Sequence, residues 1–397
     1  MEIWRKNLYV CWFGVFATSA GLSQLIPILP LFIKQLGVDN ITEIEEWSGF
    51  AYGITFILMA VFSPIWGKAA DRYGRKPMLL RASMGMAIVL TCMGFVQNVY
   101  QLVGLRLLQG TISGYYSAAI TLVATQTPKE RSGWALGTLS TGAVAGMLLG
   151  PLLGGAVADL FGLRSVFFVI GGLLLVAFLA ALLFITEKFT PSVKAAPTFR
   201  EIRRMMPYPE VTVAMFATTF MLQLALMSIQ PILTVYIAEL SGDAAYIALL
   251  SGMVFAASGL SSVIAAPRLG ALADRIGPPK VMVVALLAAG LLFIPQALVR
   301  NAWELMALRF LLGIATASLL PTINSMIRQI TPDEITGQIY GFNQSAQFVG
   351  SFGGAVMGGQ IASLFGLKYV FFSTSVLLLL NAAWVYWGVA RKAQLNS

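Results

Sequence analysis

The chain has 397 residues, of which 58% are hydrophobic and 11% are charged, and its formal net charge is +9. This composition has too few polar residues to cover a soluble core, so we exclude a water-soluble globular protein and expect a chain embedded in the lipid bilayer. The positive charge could point to nucleic acid, but basic loops on the cytoplasmic face of a membrane protein explain it without a nucleic-acid partner.

Catalytic and metal-binding patterns do not occur in the sequence. There is no histidine, and the two cysteines, Cys11 and Cys92, lie in separate apolar segments. These residues cannot form a metal-ligand cluster of the usual spacing, and no nucleophile or phosphate-binding constellation accompanies them. We therefore expect no enzyme activity, no metal and no cofactor.

Twelve apolar segments follow one another along the chain, and each is long enough to cross a hydrocarbon core about 30 Å thick as a helix. Barrel strands would alternate in short stretches, which these segments do not, so a barrel is excluded. The predicted fold is an all-α membrane protein with twelve transmembrane helices. Their predicted bounds are 8–36, 47–67, 78–97, 101–127, 133–158 and 165–186, then 211–238, 245–270, 280–299, 303–329, 337–364 and 368–390.

An internal repeat divides these helices into two six-helix halves related by pseudo-two-fold symmetry. The charged turn from Gly67 to Lys76 recurs near Gly270, and a shift of 203 or 204 positions carries other residues with it. Repeated halves in a hydrophobic chain are typical of transporters, whose substrate sites form between the repeats. We assign residues 1–186 to the N-terminal half, 187–210 to a cytoplasmic linker and 211–397 to the C-terminal half. The matching pairs include Gly67 and Gly270, Asp71 and Asp274, Arg72 and Arg275, Arg106 and Arg309, and Pro27 and Pro231.

Charges in the loops predict the orientation of the chain. Lysine and arginine concentrate on alternate loops, which the positive-inside rule places in the cytoplasm together with both termini. The acidic stretch that contains Asp39, Glu43, Glu45 and Glu46 then forms an external loop. We expect a multi-pass protein of the plasma membrane that functions as a monomer.

The turn from Gly67 to Lys76 carries glycines for a tight reversal and charges that can pair with a neighbouring helix end. The turn could simply fix its loop in the cytoplasm, but that explains neither the aspartate nor its repetition. The sequence here resembles the signature loop of the major facilitator superfamily, which lies between helices 2 and 3 and has a weaker copy between helices 8 and 9. The resemblance implies that the loop acts as a latch between the halves. The gating residues that it implies are Gly67, Asp71, Arg72, Gly74, Arg75, Asp274 and Arg275.

Helix 5 carries Gly142, Gly146, Gly150 and Gly154 at every fourth position, so they line one face and allow a close helix neighbour. Pro151 should bend that helix. The stretch resembles the antiporter motif of drug-exporting members of the superfamily, and a plain packing device is the alternative. The motif residues are Gly146, Gly150, Pro151, Gly154 and Gly155; the copy on helix 11 keeps Gly350, Gly354, Gly358 and Gly359 but has Ala355 in place of the proline.

Arg106 lies inside the apolar segment of helix 4, and an ionisable residue there is a functional candidate by default. Snorkelling to the nearby membrane surface is the alternative. Proton-coupled members of the superfamily carry an arginine in this pattern, so the resemblance implies a part in proton transfer. Related exporters also place an acid deep on helix 7 or 10, whereas every acid here lies in a loop or near a helix end. We choose Asp159 first and Glu304 second as proton carriers, although Asp159 could be a solvated helix-end residue.

Substrate contacts are expected from residues that face the space between the halves. Gln24 lies in a helix 1 stretch that resembles the motif of twelve-helix drug:proton antiporters. Amides on helices 7 and 11 would be costly facing lipid, so they bind either substrate or neighbouring helices. Aromatic and methionine side chains could form an adaptable wall, although simple packing is their commoner role. The candidates are Gln24, Tyr52, Tyr115, Tyr116, Gln223, Met227, Gln230, Phe255, Asn343, Gln344 and Gln347; Phe56 is a further aromatic.

The resemblance covers essentially the whole chain. It implies a secondary active multidrug efflux transporter of the drug:proton antiporter family, similar to quinolone and dye exporters of Gram-positive bacteria. Such a protein exports lipophilic, often cationic, small-molecule drugs in exchange for protons by alternating access. The alternative is a major facilitator exporter or importer of a sugar, a metabolite or a lipid.

Overall fold

The computed structural model of the chain describes residues 2–128, 131–187, 205–242, 246–332 and 335–387. Within these ranges, the side chains of Asp71, Ser132, Gly133, Asp274 and Gly337 are outside the description. The predicted linker 187–210 therefore lies mostly outside the described residues.

Sixteen α-helices in these ranges form twelve spans, and spans 1, 4, 7 and 10 contain two helices each. The first half has α1 (Ile3–Ser23) and α2 (Leu25–Gln35) in span 1, α3 (Ile41–Tyr73) in span 2, α4 (Arg75–Met93) in span 3, α5 (Val99–Ile112) and α6 (Tyr115–Gln126) in span 4, α7 (Ser132–Phe161) in span 5 and α8 (Leu163–Phe184) in span 6. The second half has α9 (Pro209–Ile229) and α10 (Leu233–Ser241) in span 7, α11 (Ile247–Ile276) in span 8, α12 (Pro278–Gln296) in span 9, α13 (Ala302–Thr316) and α14 (Leu319–Ile330) in span 10, α15 (Thr336–Phe365) in span 11 and α16 (Leu367–Val385) in span 12.

Length and hydropathy support membrane insertion of these spans. Ten segments of the described chain are long and apolar enough to cross a membrane, and span 1 makes an eleventh when its two helices, which meet at 43°, are taken together. Span 4 is divided into helices of 14 and 12 residues, each too short to cross alone. The all-α fold of twelve spans is confirmed.

The four divided spans correct the expectation of continuous helices. Span 1 breaks at Gln24, three residues before Pro27, and span 7 breaks at residues 230–232, which include Pro231. A proline removes one backbone donor and its ring collides with the carbonyl of the preceding turn, which explains both breaks. Spans 4 and 10 break at residues 113–114 and 317–318, which are 204 positions apart. The breaks of spans 4 and 10 thus obey the internal repeat, and those of spans 1 and 7 lie beside the repeated prolines Pro27 and Pro231.

The packing of the spans repeats in the same way. Span 1 packs against span 5, span 2 against span 4 and span 3 against span 6; spans 7, 8 and 9 pack against spans 11, 10 and 12 in the corresponding arrangement. Asn98 and Asn301, again 203 apart, cap spans 4 and 10 with their side-chain oxygens. These equivalences are the geometric form of the predicted pseudo-two-fold symmetry. The domain boundaries at 186 and 211 stay a prediction.

The turns between the spans lie on two opposite sides of the molecule. The loop side holds the turns 67–76 and 270–280, and the far side holds the turns 36–41, 161–163 and 365–367. Spans 2, 5, 8 and 11 end at single glycines, where the next span begins. Their φ angles are positive, a conformation that favours glycine: 96° at Gly74, 88° at Gly162, 95° at Gly277 and 99° at Gly366.

Candidate functional site

The two halves meet on the far side through spans 2 and 11 and through spans 5 and 8. A Cβ at Gly49 of span 2 would collide with the backbone of Ala355 and lie within 3.2 Å of Gly359, both on span 11. A Cβ at Gly252 of span 8 would collide with the carbonyl of Pro151 on span 5. Backbone lies against backbone at both places, so no path for a solute passes between the halves there. We call these contacts the 2/11 gate and the 5/8 gate.

On the loop side the same four spans separate. At Gly67, Gly137, Gly270 and Gly341, which lie on spans 2, 5, 8 and 11, an added Cβ would meet no atom of the described structure within 4 Å. None of residues 56–69 of span 2 is buried, although residues 51–53 of that span are. The space between the halves therefore opens toward the loop side and is closed toward the far side.

Asp159 lies at the 5/8 gate and joins the two halves. Its Oδ2 atom accepts a hydrogen bond of 2.7 Å from the backbone N–H of Leu249, the third residue of α11. The first N–H groups of a helix lack partners within it and favour a negative charge, so Asp159 of one half caps a helix of the other. The alternative of a solvated helix-end acid is wrong, because the carboxylate is half-buried and bonded across the interface. Its part in proton coupling stays a prediction.

The 2/11 gate contains two acids, Glu45 and Glu46, that the sequence analysis assigned to an external loop. Glu43, Glu45 and Glu46 belong to the first turns of α3 instead, and Asn40 caps that helix. Glu46 is exposed and accepts a hydrogen bond of 3.0 Å from Ser363 Oγ of span 11. Glu45 is only 4% exposed. The neighbouring Asp39 remains in the preceding turn.

Glu187, just after span 6, holds the start of span 3 on the loop side. Its carboxylate accepts from the backbone N–H groups of Arg75, at 2.9 Å, and Lys76, at 2.7 Å. Lys76 Nζ donates to the carbonyls of Leu182 and Ile185 at 3.0 and 2.7 Å. With the loop side open, this end of the signature turn is bound within its own half. Arg72 is exposed beside the ring of Tyr73, and the side chains of Asp71 and Asp274 lie outside the described residues.

Arg106 is 1% exposed, so the snorkelling alternative is wrong. Its Nε donates to the carbonyl of Ala51 at 2.9 Å, its Nη2 to the carbonyl of Tyr52 at 3.2 Å and its Nη1 to Gln109 Oε1 at 2.7 Å. The guanidinium is therefore satisfied by span 2 backbone and by its own helix, and among the described residues it pairs with no carboxylate. Arg106 fixes span 4 to the part of span 2 that forms the gate.

Arg309, the repeat of Arg106, is buried without the same partners. Its Nε and Nη2 atoms find no hydrogen bond in the described structure, and its guanidinium lies 5.9 Å from the ring centre of Phe293. Glu304, one helical turn earlier, is exposed; its Oε2 accepts from the Arg300 backbone N–H at 2.9 Å and its Oε1 from the Asn301 side chain at 2.8 Å. This geometry makes Glu304 part of a helix cap at the far side. Its predicted role as a proton carrier has no further support in these contacts.

The helix 5 glycines pack within the N-terminal half. A Cβ at Gly146, Gly150 or Gly154 would collide with span 1, near Phe16 to Gln24, whereas Gly155 faces Ala248 of span 8. On span 11, Gly350, Gly354 and Gly358 face span 7 in the same way and Gly359 faces Glu45 of span 2. Because the copy that lacks the proline packs alike, close packing is what both copies provide. Leu148 of span 5 lies against Gly259 of span 8.

The candidate amides fall into two groups. Gln24 and Gln230 lie at the breaks of spans 1 and 7, and Gln24 Nε2 and Gln230 Oε1 are buried without a partner in the described structure. Discontinuous helices of this kind form the substrate sites of many transporters. Asn343 bonds Thr219 and Asn324, and Gln344 bonds Gln347 at 2.7 Å. Gln223 is buried beside Gly350.

Some of the candidate aromatic and methionine residues lie between the halves, and others pack within one half. Met227 and Phe255 of the C-terminal half pack against a core cluster made mainly by the N-terminal half, so they lie between the halves. Tyr116 is exposed and approaches Ser140. Tyr52 is buried under Arg106 and beside Phe56, and Tyr115 is buried against Gly14. Tyr52 and Tyr115 therefore pack within their own half rather than forming a wall of the open space.

The sequence analysis did not predict an apolar groove that lies between spans 5, 8 and 10, toward the far side of the molecule. Its volume is about 890 Å³. Leu152, Met253, Leu260, Trp303 and Phe310 are among its lining residues. No periodic signal marks this groove, because it forms only where three distant segments diverge.

Comparison with known proteins covers the whole chain. The sequence profile of the Major Facilitator Superfamily matches residues 11–251 and, in a second match, residues 215–397. The Multidrug resistance protein MdtG of Salmonella typhimurium is 45% identical over 393 residues, 99% of this chain and 97% of that protein. The proteins of the same name from Proteus mirabilis and Serratia proteamaculans are 44% and 42% identical, over 95% and 98% of this chain and 94% and 95% of theirs.

Two solved structures share the fold. A bacterial homologue of the human lysosomal transporter Spinster, in an inward-facing and occupied conformation, matches with a TM-score of 0.82 and 15% identity over 98% of this chain and 97% of its own. The human organic anion transporter MFSD10 (TETRAN) matches with a TM-score of 0.71 and 18% identity over 97% of this chain and 100% of its own. At these identities the structures support the fold alone.

Proposed function

Since the chain belongs to the major facilitator superfamily, which consists of transporters rather than enzymes, we propose that it is a secondary active exporter of lipophilic, often cationic drugs in exchange for protons. The observation that supports this most strongly is identity of 42 to 45% with multidrug resistance proteins along almost their whole length. The substrates are therefore small molecules, as the family implies.

Alternating access follows from the two sides of the molecule. In the described state the 2/11 and 5/8 gates close the far side and the loop side is open, so a drug would enter between the halves from the loop side. Rocking of the halves would then close the loop side and separate the gates. Both gates rest on close glycine contacts, and their separation would also break the hydrogen bonds of Asp159 and Glu46.

The loop side is the cytoplasmic side in this proposal. Arg72, Arg75 and Lys76 lie there, as the positive-inside rule expects for a cytoplasmic loop. Glu43, Glu45, Glu46 and Glu239 lie on the far side. The protein is a membrane-embedded, multi-pass protein; the plasma membrane, the cytoplasmic termini and the monomeric state are parts of the proposal. The signature turn, with Gly67, Asp71, Arg72, Gly74 and Arg75 and its copy at Asp274 and Arg275, would act as the latch when the loop side closes.

Drug binding is assigned to the residues that face the space between the halves. The unpartnered amides of Gln24 and Gln230 supply polar contacts at the two broken spans, and Met227 and Phe255 supply apolar contacts. Tyr116, Gln344 and Gln347 lie nearer the loop side. A cationic drug gains from aromatic faces and needs no carboxylate there.

Efflux of ethidium from loaded cells tests this function. Expression of the chain in a host without its own pumps should lower ethidium accumulation, and a proton ionophore should restore it. A chain with Gln24→Ala and Gln230→Ala should lose this effect while reaching the membrane in equal amount. Unchanged accumulation with the native chain, together with movement of a sugar, would contradict drug export.

A lipid substrate is the second candidate, because the apolar groove of about 890 Å³ between spans 5, 8 and 10 could hold an acyl chain. Phe310→Ser and Met253→Ser would place polar groups in that groove. If they abolish ethidium efflux, the groove is a drug route; if they abolish only transfer of a fluorescent phospholipid between leaflets, lipid transport is the better assignment.

A further inference from the structure

Glu45 is the buried acid of the 2/11 gate. It lies in the second turn of α3, its backbone carbonyl faces Gly359 of span 11, and the residue is among those that line a cavity of about 730 Å³ between the halves. In the described part of the chain its carboxylate accepts no hydrogen bond, and the single ion pair found there joins Arg5 to Glu2. The residue as a whole is 4% exposed and no donor of the described residues bonds its carboxylate, so a negative charge there has little compensation.

The charged groups around Glu45 do not supply that partner. On its own helix, Glu43 is exposed and Glu46 is exposed and bonded to Ser363. Across the cavity, span 7 presents Glu239, and the end of span 1 and the following turn present Lys34 and Asp39. The described part of span 11 that lines this cavity contributes only uncharged residues. An ionised Glu45 would therefore be buried beside more acids than bases, which is costly.

We propose that Glu45 is a proton-binding site, and that binding of a proton there closes the 2/11 gate. A neutral carboxylic acid removes the buried charge, and its O–H can donate to a backbone carbonyl at the gate. When the gate separates, Glu45 meets water and an ionised carboxylate is no longer costly. This inference rests on the proposed function in one respect, namely that the two sides open alternately.

The direction of the pH effect follows from this linkage. The closed gate holds the proton more tightly than the open gate, so low pH on the far side favours closure and rising pH releases it. External protons would then return the emptied transporter to the state that is open on the loop side. The 5/8 gate has no counterpart of Glu45, since Ala248 occupies the equivalent position.

Distance measurements on the full-length protein in lipid nanodiscs test the proposal. Spin labels on Phe95→Cys and Leu298→Cys, equivalent exposed positions at the far ends of spans 3 and 9, report separation of the halves in a chain carrying Cys11→Ala and Cys92→Ser. For one linked proton, the ratio of open to closed protein should change by up to about tenfold per pH unit within the titration range. Glu45→Gln and Glu45→Ala should stay closed over that range, and Glu46→Gln should follow the parent chain.

A parent chain that does not respond to pH, or a Glu45→Gln protein that responds as the parent does, overturns the proposal. Ethidium binding to the same samples separates this outcome from failure of the proposed function. If ethidium does not bind but the gate still responds to pH through Glu45, drug export is wrong and the proton site stands. If ethidium binds and is exported while Glu45→Gln leaves the pH response unchanged, the proton site alone is wrong.

Discussion

The two far-side gates are built on one backbone plan but differ in chemistry. Glu45 and Ala248 are equivalent, as are Glu46 and Leu249, each pair 203 positions apart; Asp159 and Ser363 are 204 apart. At the 5/8 gate the acid comes from span 5 and accepts from the backbone of span 8. At the 2/11 gate the acid comes from span 2 and accepts from a hydroxyl of span 11.

This difference shows what the internal repeat retains. Backbone approach is the same at both gates, since Gly49 and Gly252 are equivalent and each faces the partner span directly. Charge is not retained. Each gate holds one hydrogen-bonded acid, but only the 2/11 gate holds an additional buried acid. One gate can therefore bear a constant closing interaction while the other responds to protons.

The largest effect is expected from filling a gate. Gly252→Leu places a side chain against the Pro151 carbonyl, and overpacking of this kind costs about 1 to 3 kcal/mol. The closed far side should become about five- to 150-fold less populated. The distance between labels at Phe95→Cys and Leu298→Cys measures this population.

Gly172→Leu is the matched control for that variant, because its site on span 6 is open. Equal label distances in the two variants would show that the glycine contact does not hold the gate closed.

A similar substitution within one half should act on folding instead of gating. Gly150→Leu would collide with Ala20 and Ser23 of span 1 and should lower the stability of the N-terminal half by about 1 to 3 kcal/mol. Thermal unfolding in detergent measures this loss, and Gly172→Leu again serves as the control. An unchanged melting temperature would mean that span 1 can move away at no cost.

Asp159→Asn should have a smaller effect, through the 5/8 gate. Removing a charge from a helix N-terminus costs about 0.3 to 1 kcal/mol, so the closed state should become about two- to fivefold less populated. If Asp159 is also a proton carrier, drug-induced proton movement in liposomes should disappear while downhill drug movement continues. Full coupling in this variant would leave Asp159 a gate residue only.

Ser363→Ala should have the smallest effect. It removes one exposed hydrogen bond to Glu46, and exposed contacts to a charge contribute less than about 1 kcal/mol. The closed population should change less than about fivefold, whatever the pH. A loss as large as that of Gly252→Leu would show that this hydroxyl is essential for closing the 2/11 gate.

Periodic and repeated features were predictable from the sequence. The twelve spans follow from hydropathy, and the two halves follow from the repeat of the charged turn. The breaks of spans 1 and 7 carried a signal, since Pro27 and Pro231 are visible in the sequence. The break at residues 113–114 carried Gly114, whose φ is positive, and the break at 317–318 carried Pro321, but neither residue was recognised as dividing its span.

The contacts of individual side chains were less predictable from the sequence. Arg106 could be chosen because a charge inside an apolar run is rare, but its partners are backbone carbonyls that no residue type specifies. Glu45 could not be separated from Glu43 and Glu46, since only the approach of span 11 buries it. Span 11, which buries Glu45, is more than 300 positions away in the chain, so the sequence around Glu45 does not indicate its burial.

The backbone contacts at Gly49 and Gly252 have a consequence for ion leakage. A side chain in a seal switches between rotamers, and each switch can admit a transient file of water molecules along which protons conduct. Main chain has no such freedom, so we expect these seals to exclude water while the opposite side is open to solvent. An idle transporter of this kind can remain in an energised membrane in many copies without acting as a shunt across it.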